Sequence, residues 1–513
     1  MLAITKTAAL RGIEGIDCTV EADSSRGLPS FHVVGLGDCA VKEAGERVRT
    51  AILNEGFDYP KGRVTVNLCP AWIRKKGSHF DLPIAMSILV LAGAISQRHL
   101  DRSLFIGELS LEGKIIPVKG ILPMLKDIGE DVSRVFVPKD NAAEAALSLR
   151  GKGTEVIGVE RLSDAVDILK GKKGYEKVRA AQDAAYDPIA SPDFLDVRGH
   201  WQAKEAIVTA ISGGHGLLMM GSPGTGKTML AQRIPTILPD MSYEEQMETS
   251  MVYSLTGALD RDMPIMTRRP FRKLSPRMTE AGILGGGNEP MPGEASLAHN
   301  GVLFMDEFLE YPRKTIDALR KPMEDKKISI MRRGVSYVFP ADFILVGATN
   351  PCKCGYYGDP QKVCKCSQLE LERYRAKLSG PITDRIDMMI ELPRIDYESL
   401  TVGSSMSSKE MKERVEAALD IQKTRFAGCG ISRNSQMTEA MIGEFCNLGK
   451  EESVLMEKAY AKYDLSPRRY FKVLRLARTI SDLKGVKELD TMSIYAALNY
   501  TKFLNVYDRD MSE

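Results

Sequence analysis

No apolar run in the sequence approaches the length of about 18 residues that a helix needs to cross a bilayer, so we expect no membrane span. The N-terminus also lacks the long apolar stretch of a secretory signal peptide. Neither sign of charge dominates, because 70 Lys and Arg balance 68 Asp and Glu to a net charge of +2. Contact with nucleic acid would therefore depend on local basic patches. The nine cysteines are an odd number, mostly scattered, which favours a reducing cytoplasm over a secreted disulfide framework.

The chain of 513 residues is long enough for about three domains. Residues 1–170 alternate short β-rich and helical runs, and residues 171–193 are polar and aperiodic, which is typical of a linker. A second α/β domain is predicted over residues 194–396, and charged helical segments fill residues 397–513. The clearest predicted elements outside the motifs are strands Phe31–Val34, Arg63–Asn67, Leu104–Ile106, Ile115–Val118 and Val135–Val137, and helices Lys42–Asn54, Pro83–Ala94, Ser408–Phe426, Thr438–Phe445, Glu452–Tyr463, Arg468–Leu483 and Thr491–Leu504.

One short motif carries specific chemistry. The letters G-S-P-G-T-G-K-T at residues 221–228 follow the apolar run Leu217–Met220, so the pattern G-x-x-x-x-G-K-[ST] stands in its strand-to-helix setting. Glycines let backbone N–H groups crowd around phosphate oxygens, and the following helix points its positive end at the nucleotide. We expect ATP or GTP to bind here. The residues of this loop are Gly221, Ser222, Pro223, Gly224, Thr225, Gly226, Lys227 for the β- and γ-phosphates, and Thr228 for Mg²⁺.

Two further predicted strands end in polar residues that suit the same site. The run Val302–Met305 ends in Asp306, which would belong to the Mg²⁺ shell, and Glu307, which would polarise the attacking water. The run Phe343–Ala348 leads to Asn350, whose amide could orient water near the γ-phosphate. The alternatives are a buried strand with a polar end for the acidic pair and a turn residue before proline for Asn350.

Two arginines are candidates for contact with the γ-phosphate. Arg385, in S-G-P-I-T-D-R-I-D, could reach a neighbouring subunit and stabilise charge in the transition state, or it could form an ion pair with an adjacent aspartate. Ser466 and Pro467 can cap and begin a helix, which places Arg468 in its first turn. There Arg468 could contact the nucleotide of its own chain, or it could be a solvated basic helix start.

Four cysteines lie close together in sequence. Cys352, Cys354, Cys364 and Cys366 form C-x-C-x₉-C-x-C, and four thiols on one loop could surround a Zn²⁺ ion tetrahedrally. The spacing differs from the usual C-x-x-C knuckle. Four reduced thiols or a redox-active pair are the alternatives. A bound zinc would stiffen the loop that leaves Asn350.

A predicted β-hairpin carries local basic charge. Residues 328–339 read I-S-I-M-R-R-G-V-S-Y-V-F, with Arg332 and Arg333 at the tip and Lys326 and Lys327 at the base. In a ring, such hairpins could line the pore and grip a phosphate backbone without reading bases. A solvated hairpin is the alternative.

Five longer segments complete the set of motifs. They are D-V-R-G-H-W-Q-A-K at 196–204, G-G-G-N-E-P-M-P-G-E-A-S-L-A-H-N-G-V-L-F-M-D-E at 285–307, N-P-C-K-C-G-Y-Y-G-D-P at 350–360, R-Y-R-A-K-L-S-G-P-I-T-D-R-I-D at 373–387 and L-R-L-A-R-T-I-S-D-L at 474–483. With them the chain resembles, over nearly its whole length, the YifB/ComM family of Mg-chelatase-like AAA+ ATPases. Two positions depart from the family's pattern: His200 replaces a usual Gln, and L-S-P-R-M-T at 274–279 replaces a usual P-H-H stretch.

The resemblance implies an α/β AAA+ P-loop core with a C-terminal helical lid, a homo-hexameric ring, and ATP with Mg²⁺ as cofactors. It also implies that Asn350 is sensor 1, Arg385 the arginine finger that acts in trans, and Arg468 sensor 2.

The N-terminal segments F-H-V-V-G-L-G-D-C-A-V-K-E at 31–43, K-K-G-S-H-F-D-L-P-I-A at 75–85 and G-E-L-S-L-E-G-K-I-I-P-V-K-G at 107–120 resemble another fold. It is the Lon-protease-like α+β fold, which RadA-type recombination proteins also contain. A Lon-type protease needs a nucleophilic serine and a nearby lysine. Ser78 lies too early for that nucleophile, and Leu122-Pro123 replaces the usual lysine, so we interpret residues 1–170 as a non-proteolytic domain.

These features favour a ring-forming ATPase that couples ATP hydrolysis to movement along DNA. The resemblance implies a branch-migration helicase of recombination or natural transformation, acting in the cytoplasm on branched or single-stranded DNA without sequence specificity. A magnesium-chelatase-type motor and a protein-remodelling AAA+ chaperone are the alternatives, because the sequence does not decide which substrate passes through the ring.

Overall fold

Two large β-sheets organise the chain, one in the N-terminal region and one in the middle. The structure is a computed structural model that describes residues 2–178, 192–261, 263–378, 384–395 and 405–509, with side chains described as far as residue 501. Most of the predicted linker at 171–193, the predicted boundary at 396 and part of the motif at 373–387 lie outside the described residues.

The N-terminal sheet has seven strands in the order β3-β4-β2-β1-β5-β8-β9, and helices cover it. A separate two-stranded sheet is formed by β6 and β7. The elements of this region are β1 Leu2–Arg11, β2 Glu14–Ser25, β3 Ser30–Val34, α1 Cys39–Asn54, β4 Arg63–Cys69, α2 Asp81–Leu91, α3 Gln97–Leu100, β5 Ser103–Phe105, β6 Glu108–Leu109, β7 Ile115–Ile116, α4 Ile121–Leu125, β8 Arg134–Pro138, α5 Ala142–Ser148, β9 Glu155–Val159 and α6 Leu162–Leu169. The long antiparallel pair β1–β2 was missed by the sequence patterns, whereas the helices at α1 and α2 are confirmed.

The K-K-G-S-H-F-D-L segment at residues 75–82 makes structural contacts. Arg47 donates two hydrogen bonds to Asp81, at 2.9 and 3.0 Å, and this carboxylate is fully buried at the start of α2. Ser78 donates to Glu108, while the buried Lys75 ammonium donates to the Leu68 carbonyl oxygen at 2.8 Å. Ser78 and Lys75 therefore each bond to a different partner, and these contacts do not join them as a serine–lysine pair.

The second sheet is entirely parallel, in the order β11-β14-β17-β10-β18. Elements of this region are α7 Trp201–Gly213, β10 Leu217–Gly221, α8 Lys227–Arg233, α9 Tyr243–Thr256, β11 Phe271–Leu274, α10 Glu280–Leu284, β12 Gly285–Gly286, β13 Met291–Pro292, α11 Glu294–Leu297, β14 Val302–Met305, α12 Arg313–Ala318, α13 Arg320–Asp325, β15 Lys327–Arg332, β16 Val335–Pro340, β17 Ile344–Thr349, α14 Gln368–Arg375 and β18 Met388–Leu392. The inner strands read as apolar runs because both faces of the sheet are covered.

Parallel strands give this sheet two chemically different edges. The strands all end along one side, which we call the carboxyl edge, and all begin along the other, the amino edge. The phosphate loop follows β10 and so lies at the carboxyl edge, where ligands bind in open α/β sheets. Which edge a residue occupies therefore decides whether it can reach a nucleotide bound by its own chain.

The C-terminal part is helical, as predicted. Its helices are α15 Ser408–Arg425, α16 Glu439–Phe445, α17 Lys450–Tyr463, α18 Pro467–Leu483 and α19 Thr491–Arg509. They share one hydrophobic core with α7 and the second sheet, in which Ile207, Leu419, Ala477 and Ile494 are buried. Among the described helices, none is long and apolar enough to cross a membrane.

Among the described residues, the N-terminal region contacts the second sheet's region at α9 and at the hairpin β15–β16. The Gly120 N–H donates to the Ser254 carbonyl oxygen on α9 at 3.1 Å, and the Ser254 hydroxyl donates to the buried Glu144 carboxylate at 2.5 Å. At the hairpin, the Lys76 ammonium lies 5.2 Å from the ring centre of Tyr337 on β16. The hairpin β15–β16 is therefore braced against the N-terminal region.

Candidate nucleotide-binding site

The phosphate loop, residues 221–228, leaves the central strand β10 and enters α8. Gly224 and Gly226 both have φ near +83°, a conformation that favours glycine. A Cβ on Gly221 would lie 2.7 Å from the Leu392 carbonyl oxygen, so the backbone there leaves no space for a side chain. The first N–H groups of α8 have no partner within the helix and can bind phosphate. This backbone fits the phosphates of a nucleotide.

Lys227 and Asn350 are brought together as the motifs predict. The Lys227 ammonium donates to the carbonyl oxygens of Gly221 at 2.6 Å and Ser222 at 2.9 Å, and to Oδ1 of Asn350 at 3.1 Å. Burial lowers the pKa of Lys227 to about 8. Asn350 follows β17, the neighbour of β10, and both strands end at the carboxyl edge.

The predicted magnesium ligands also meet. Thr228 Oγ1 lies 3.3 and 3.2 Å from the two carboxylate oxygens of Asp306. A hydroxyl and a carboxylate are the hard oxygen donors that Mg²⁺ prefers, so these two residues fit that ion. Glu307 is exposed beside them in the left-handed conformation, with φ of 52°. Lys273 on β11, which the sequence motifs did not single out, forms an ion pair with Asp306 at 2.9 Å.

His200 lies beside the phosphate loop. It has φ of 50° at the start of α7, and a Cβ built on Gly226 would lie 3.6 Å from its Nε2. Burial lowers the pKa of His200, so the imidazole is neutral at physiological pH. His200, which stands where the family usually has Gln, therefore borders the phosphate loop.

Arg385 and Arg468 both lie at the amino edge. Arg385 precedes β18, and each arginine places Nη2 2.5 Å from Oε1 of Glu324 on α13. The hydrogen bond from Arg468 and the charge of Arg385 hold the pKa of Glu324 below its usual value. The strand Leu217–Gly221 separates this edge from the phosphate loop by about 13 Å at 3.3 Å per residue.

This placement corrects one expectation. We expected Arg468 to contact the nucleotide of its own chain, but it lies across the sheet from that chain's phosphate loop. Arg385 forms an ion pair with Glu324. Glu324 itself was missed because a contact between residues so distant along the chain leaves no local pattern.

An ion pair fixes the start of α18 at the amino edge. The Lys472 ammonium donates to the Ile386 carbonyl oxygen at 2.7 Å and lies 3.4 Å from the Asp387 carboxylate. Burial alone would raise the pKa of Asp387, but the Lys472 charge and a hydrogen bond with His215 hold it well below its usual range. The helix that carries Arg468 is thus tied to the strand that follows Arg385.

The basic hairpin forms as predicted. Arg332 pairs with Val335, and the connecting Arg333 and Gly334 have φ of 49° and 77°, as in a type I′ turn. Arg332 and Arg333 at the tip and Lys327 at the base are exposed. Lys326 differs, because its ammonium forms an ion pair with Asp342 at 3.0 Å.

The four clustered cysteines also come together. Their sulfur atoms all lie within 4.8 Å of one another, and none of the four residues forms a disulfide. The cluster lies on the loop between β17 and α14, directly after Asn350.

Family models match three consecutive parts of the chain. A model described as subunit ChlI of Mg-chelatase matches residues 20–141, one described as magnesium chelatase, subunit ChlI, matches 193–400, and one for the ChlI C-terminal part matches 405–501. The chain is 36% identical to competence protein ComM of Haemophilus influenzae, over 99% of this chain and 99% of that protein. It is also 36% identical to the uncharacterized protein YifB of Escherichia coli, over 97% of each chain.

A more distant relative matches in part. DNA replication licensing factor mcm-6 of Caenorhabditis briggsae is 25% identical over 55% of this chain and 32% of that protein. The family implies an AAA+ ATPase that uses ATP and Mg²⁺, and the phosphate loop and the parallel sheet have the form that such a core requires. The resemblance drawn from the motifs is confirmed, and the chain belongs to the YifB/ComM family of magnesium-chelatase-like AAA+ ATPases.

Proposed function

We propose that the protein forms a homo-hexameric ring and uses ATP hydrolysis to move DNA, as a branch-migration helicase in recombination or natural transformation. The observation that carries this proposal is the position of Arg385 and Arg468 at the amino edge, where they pair with Glu324. Neither can complete the site of its own chain. In a closed ring, a head-to-tail interface brings the amino edge of one subunit to the phosphate loop of the next.

Each residue of the site then has a defined task. The phosphate loop and Lys227 hold the phosphates, and Thr228 and Asp306 hold Mg²⁺, which neutralises phosphate charge when bound. Glu307 accepts the proton of the attacking water, and Asn350 orients that water.

Arg385 and Arg468 of the neighbouring subunit stabilise the charge that develops on the transferred phosphoryl group. Within a free chain, Glu324 holds both guanidinium groups in one place. The γ-phosphate of a neighbour would replace that carboxylate as the ring closes around ATP.

The hairpin supports DNA as the substrate. Its exposed Arg332 and Arg333 can contact backbone phosphates, which carry no sequence information. One full-length relative is named a competence protein and a partial relative a DNA replication licensing factor, which supports DNA as the substrate. The family models are named for magnesium chelatase, so a porphyrin is included in the test below. Because ATP and chromosomal DNA share the cytoplasm of a bacterial cell, we place the protein there.

ATPase rates across a panel of substrates test the proposal. The purified chain is assayed with single-stranded DNA, duplex, three-way and four-way junctions, a denatured protein, and a porphyrin with Mg²⁺, and mass photometry reports ring size. We expect stimulation by DNA and ATP-dependent resolution of the four-way junction, both lost in Lys227→Ala. Stimulation by the denatured protein or the porphyrin alone would favour a remodelling chaperone or a chelatase motor, and would refute DNA movement.

A further inference from the structure

Four sulfur atoms on the loop of residues 352–366 define a volume suited to one metal ion. Sγ of Cys352 lies 3.3 Å from that of Cys354 and 3.7 Å from that of Cys364, and the latter two are 3.5 Å apart. Cys366 completes the group within 4.8 Å. Thiolates around a tetrahedral Zn²⁺, at about 2.3 Å from the metal, lie about 3.8 Å from one another. A disulfide would need about 2.05 Å, so the spacing is that of a four-thiolate shell.

Backbone donors surround these sulfur atoms. The N–H groups of Lys365 and Tyr356 donate to the Cys354 sulfur, and the N–H of Cys366 donates to the Cys364 sulfur. Such donors orient thiolates and stabilise their charge around a metal. A redox pair would need two thiols rather than four. A multi-iron cluster would need its thiolates farther apart, because they must lie outside several metal atoms.

The same loop presses against the phosphate loop. A Cβ on Gly355, which has φ of +87°, would lie 2.7 Å from Cδ and Cγ of Pro223. The Asp359 side chain is fully buried, accepts a hydrogen bond from Arg394 Nε at 2.7 Å and is hydrogen-bonded to the Ser222 side chain. The cysteine loop therefore contacts two consecutive residues of the phosphate loop.

We propose that Cys352, Cys354, Cys364 and Cys366 bind one Zn²⁺ ion, and that the metal holds their loop as a brace against Ser222 and Pro223. The metal site stands on sulfur geometry alone. The brace rests on the proposed function, because it assigns the loop a part in binding ATP. Closing a flexible loop around a metal restricts the conformations that would otherwise let the contacts with the phosphate loop separate.

Metal analysis of the purified full chain tests the site. We expect about one zinc per chain by elemental mass spectrometry. A Cys354→Ser/Cys364→Ser variant should lose it, and a Cys39→Ser/Cys429→Ser control, at exposed cysteines away from the loop, should keep it. Cobalt substituted into the wild-type chain should show thiolate-to-metal charge transfer and the strong d–d bands of a tetrahedral site. Absence of metal, zinc retained by the loop variant, or no cobalt bands would overturn the zinc site.

Two glycine variants test the brace without removing the metal. Gly355→Ala would press on Pro223, whereas Gly358→Ala imposes similar strain at φ of +76° but meets nothing within 4 Å. We expect Gly355→Ala to weaken ATP binding about tenfold and Gly358→Ala to change it little, both with zinc retained. Equal affinities in the two variants would overturn the brace. If DNA failed to stimulate the ATPase, the proposed function would be refuted. The zinc site would still stand, because zinc content does not depend on DNA.

Discussion

Arg385 and Arg468 donate hydrogen bonds to the same carboxylate oxygen, Oε1 of Glu324, each over 2.5 Å. The two guanidinium groups come from segments far apart in the chain and meet because Lys472 ties α18 to the residues before β18. Charge-assisted bonds of this kind are stronger than neutral ones, and one anion orients both arginines. They are thus held as a pair at the amino edge, which the proposed ring would bring to the phosphate loop of another subunit.

Mixed rings of two inactive variants test which chain supplies Arg468. Arg468→Ala should hydrolyse ATP at least about a thousandfold more slowly than wild type, and Glu307→Gln at least about a hundredfold more slowly. In an equimolar mixture, a subunit with intact Glu307 can receive an intact Arg468 from its neighbour. We expect about a quarter of the sites to recover, as measured by steady-state ATPase assay.

Arg385→Ala mixed with Glu307→Gln should recover in the same way, which gives a matched comparison. If Arg468 acted on its own chain, the mixture with Arg468→Ala would stay as inactive as its components, although mass photometry would still show mixed rings.

Binding and hydrolysis should separate between two variants at the carboxyl edge. Lys227→Ala removes the ammonium that the phosphates need, so we expect loss of ATP binding by fluorescent-nucleotide titration. Glu307→Gln keeps the shape of an exposed side chain while removing the base, so ATP should bind normally and be hydrolysed at least about a hundredfold more slowly. Normal hydrolysis by Glu307→Gln would show that another group activates the water.

ATP affinity should depend on pH through Lys227. Burial lowers its pKa to about 8 in the free protein, and bound phosphate favours the charged ammonium and raises that pKa. The favourable contribution is therefore complete below pH 8 and is lost above it, so the dissociation constant should rise about tenfold per pH unit beyond that point. Calorimetry at pH 8.5, in buffers of different ionisation heat, should detect proton uptake on binding. Constant affinity from pH 7 to 9 would contradict this assignment.

Removing the charge at the hairpin tip should weaken DNA binding without unfolding the turn. Arg332→Ala/Arg333→Asn serves this purpose, because Asn tolerates the left-handed conformation that Arg333 adopts before Gly334. We expect affinity for single-stranded DNA to fall at least about tenfold, with a shallower dependence on salt. Lys458→Ala/Lys462→Ala removes two exposed charges on α17 and should have little effect. Equal loss in the two variants would point to a non-specific effect of net charge.

Local patterns predicted much of the site. The strand Val302–Met305 has the bounds that its apolar letters indicate, and the phosphate loop begins where β10 ends. Lys227, Thr228, Asp306 and Asn350 meet because parallel neighbouring strands end at one edge.

In contrast, β1 and β2 were missed for different reasons. β1 has no readable pattern, because Leu2 and Ile4 are exposed while Thr5 is buried, and its stability comes from pairing with β2 and β5. β2 does alternate, with Cys18, Val20 and Ala22 buried on one face, and that signal was overlooked.

The sequence by itself determined the nucleotide chemistry, since a phosphate loop needs glycine, lysine and threonine at fixed spacing along one turn of chain. Only the tertiary structure decided where Arg468 lies, which partner holds it, and that Lys326 is paired with Asp342. The physical reason is distance along the chain: an ion pair between Glu324 and Arg468 depends on how a sheet edge and a distant helix pack, and no short segment encodes that packing.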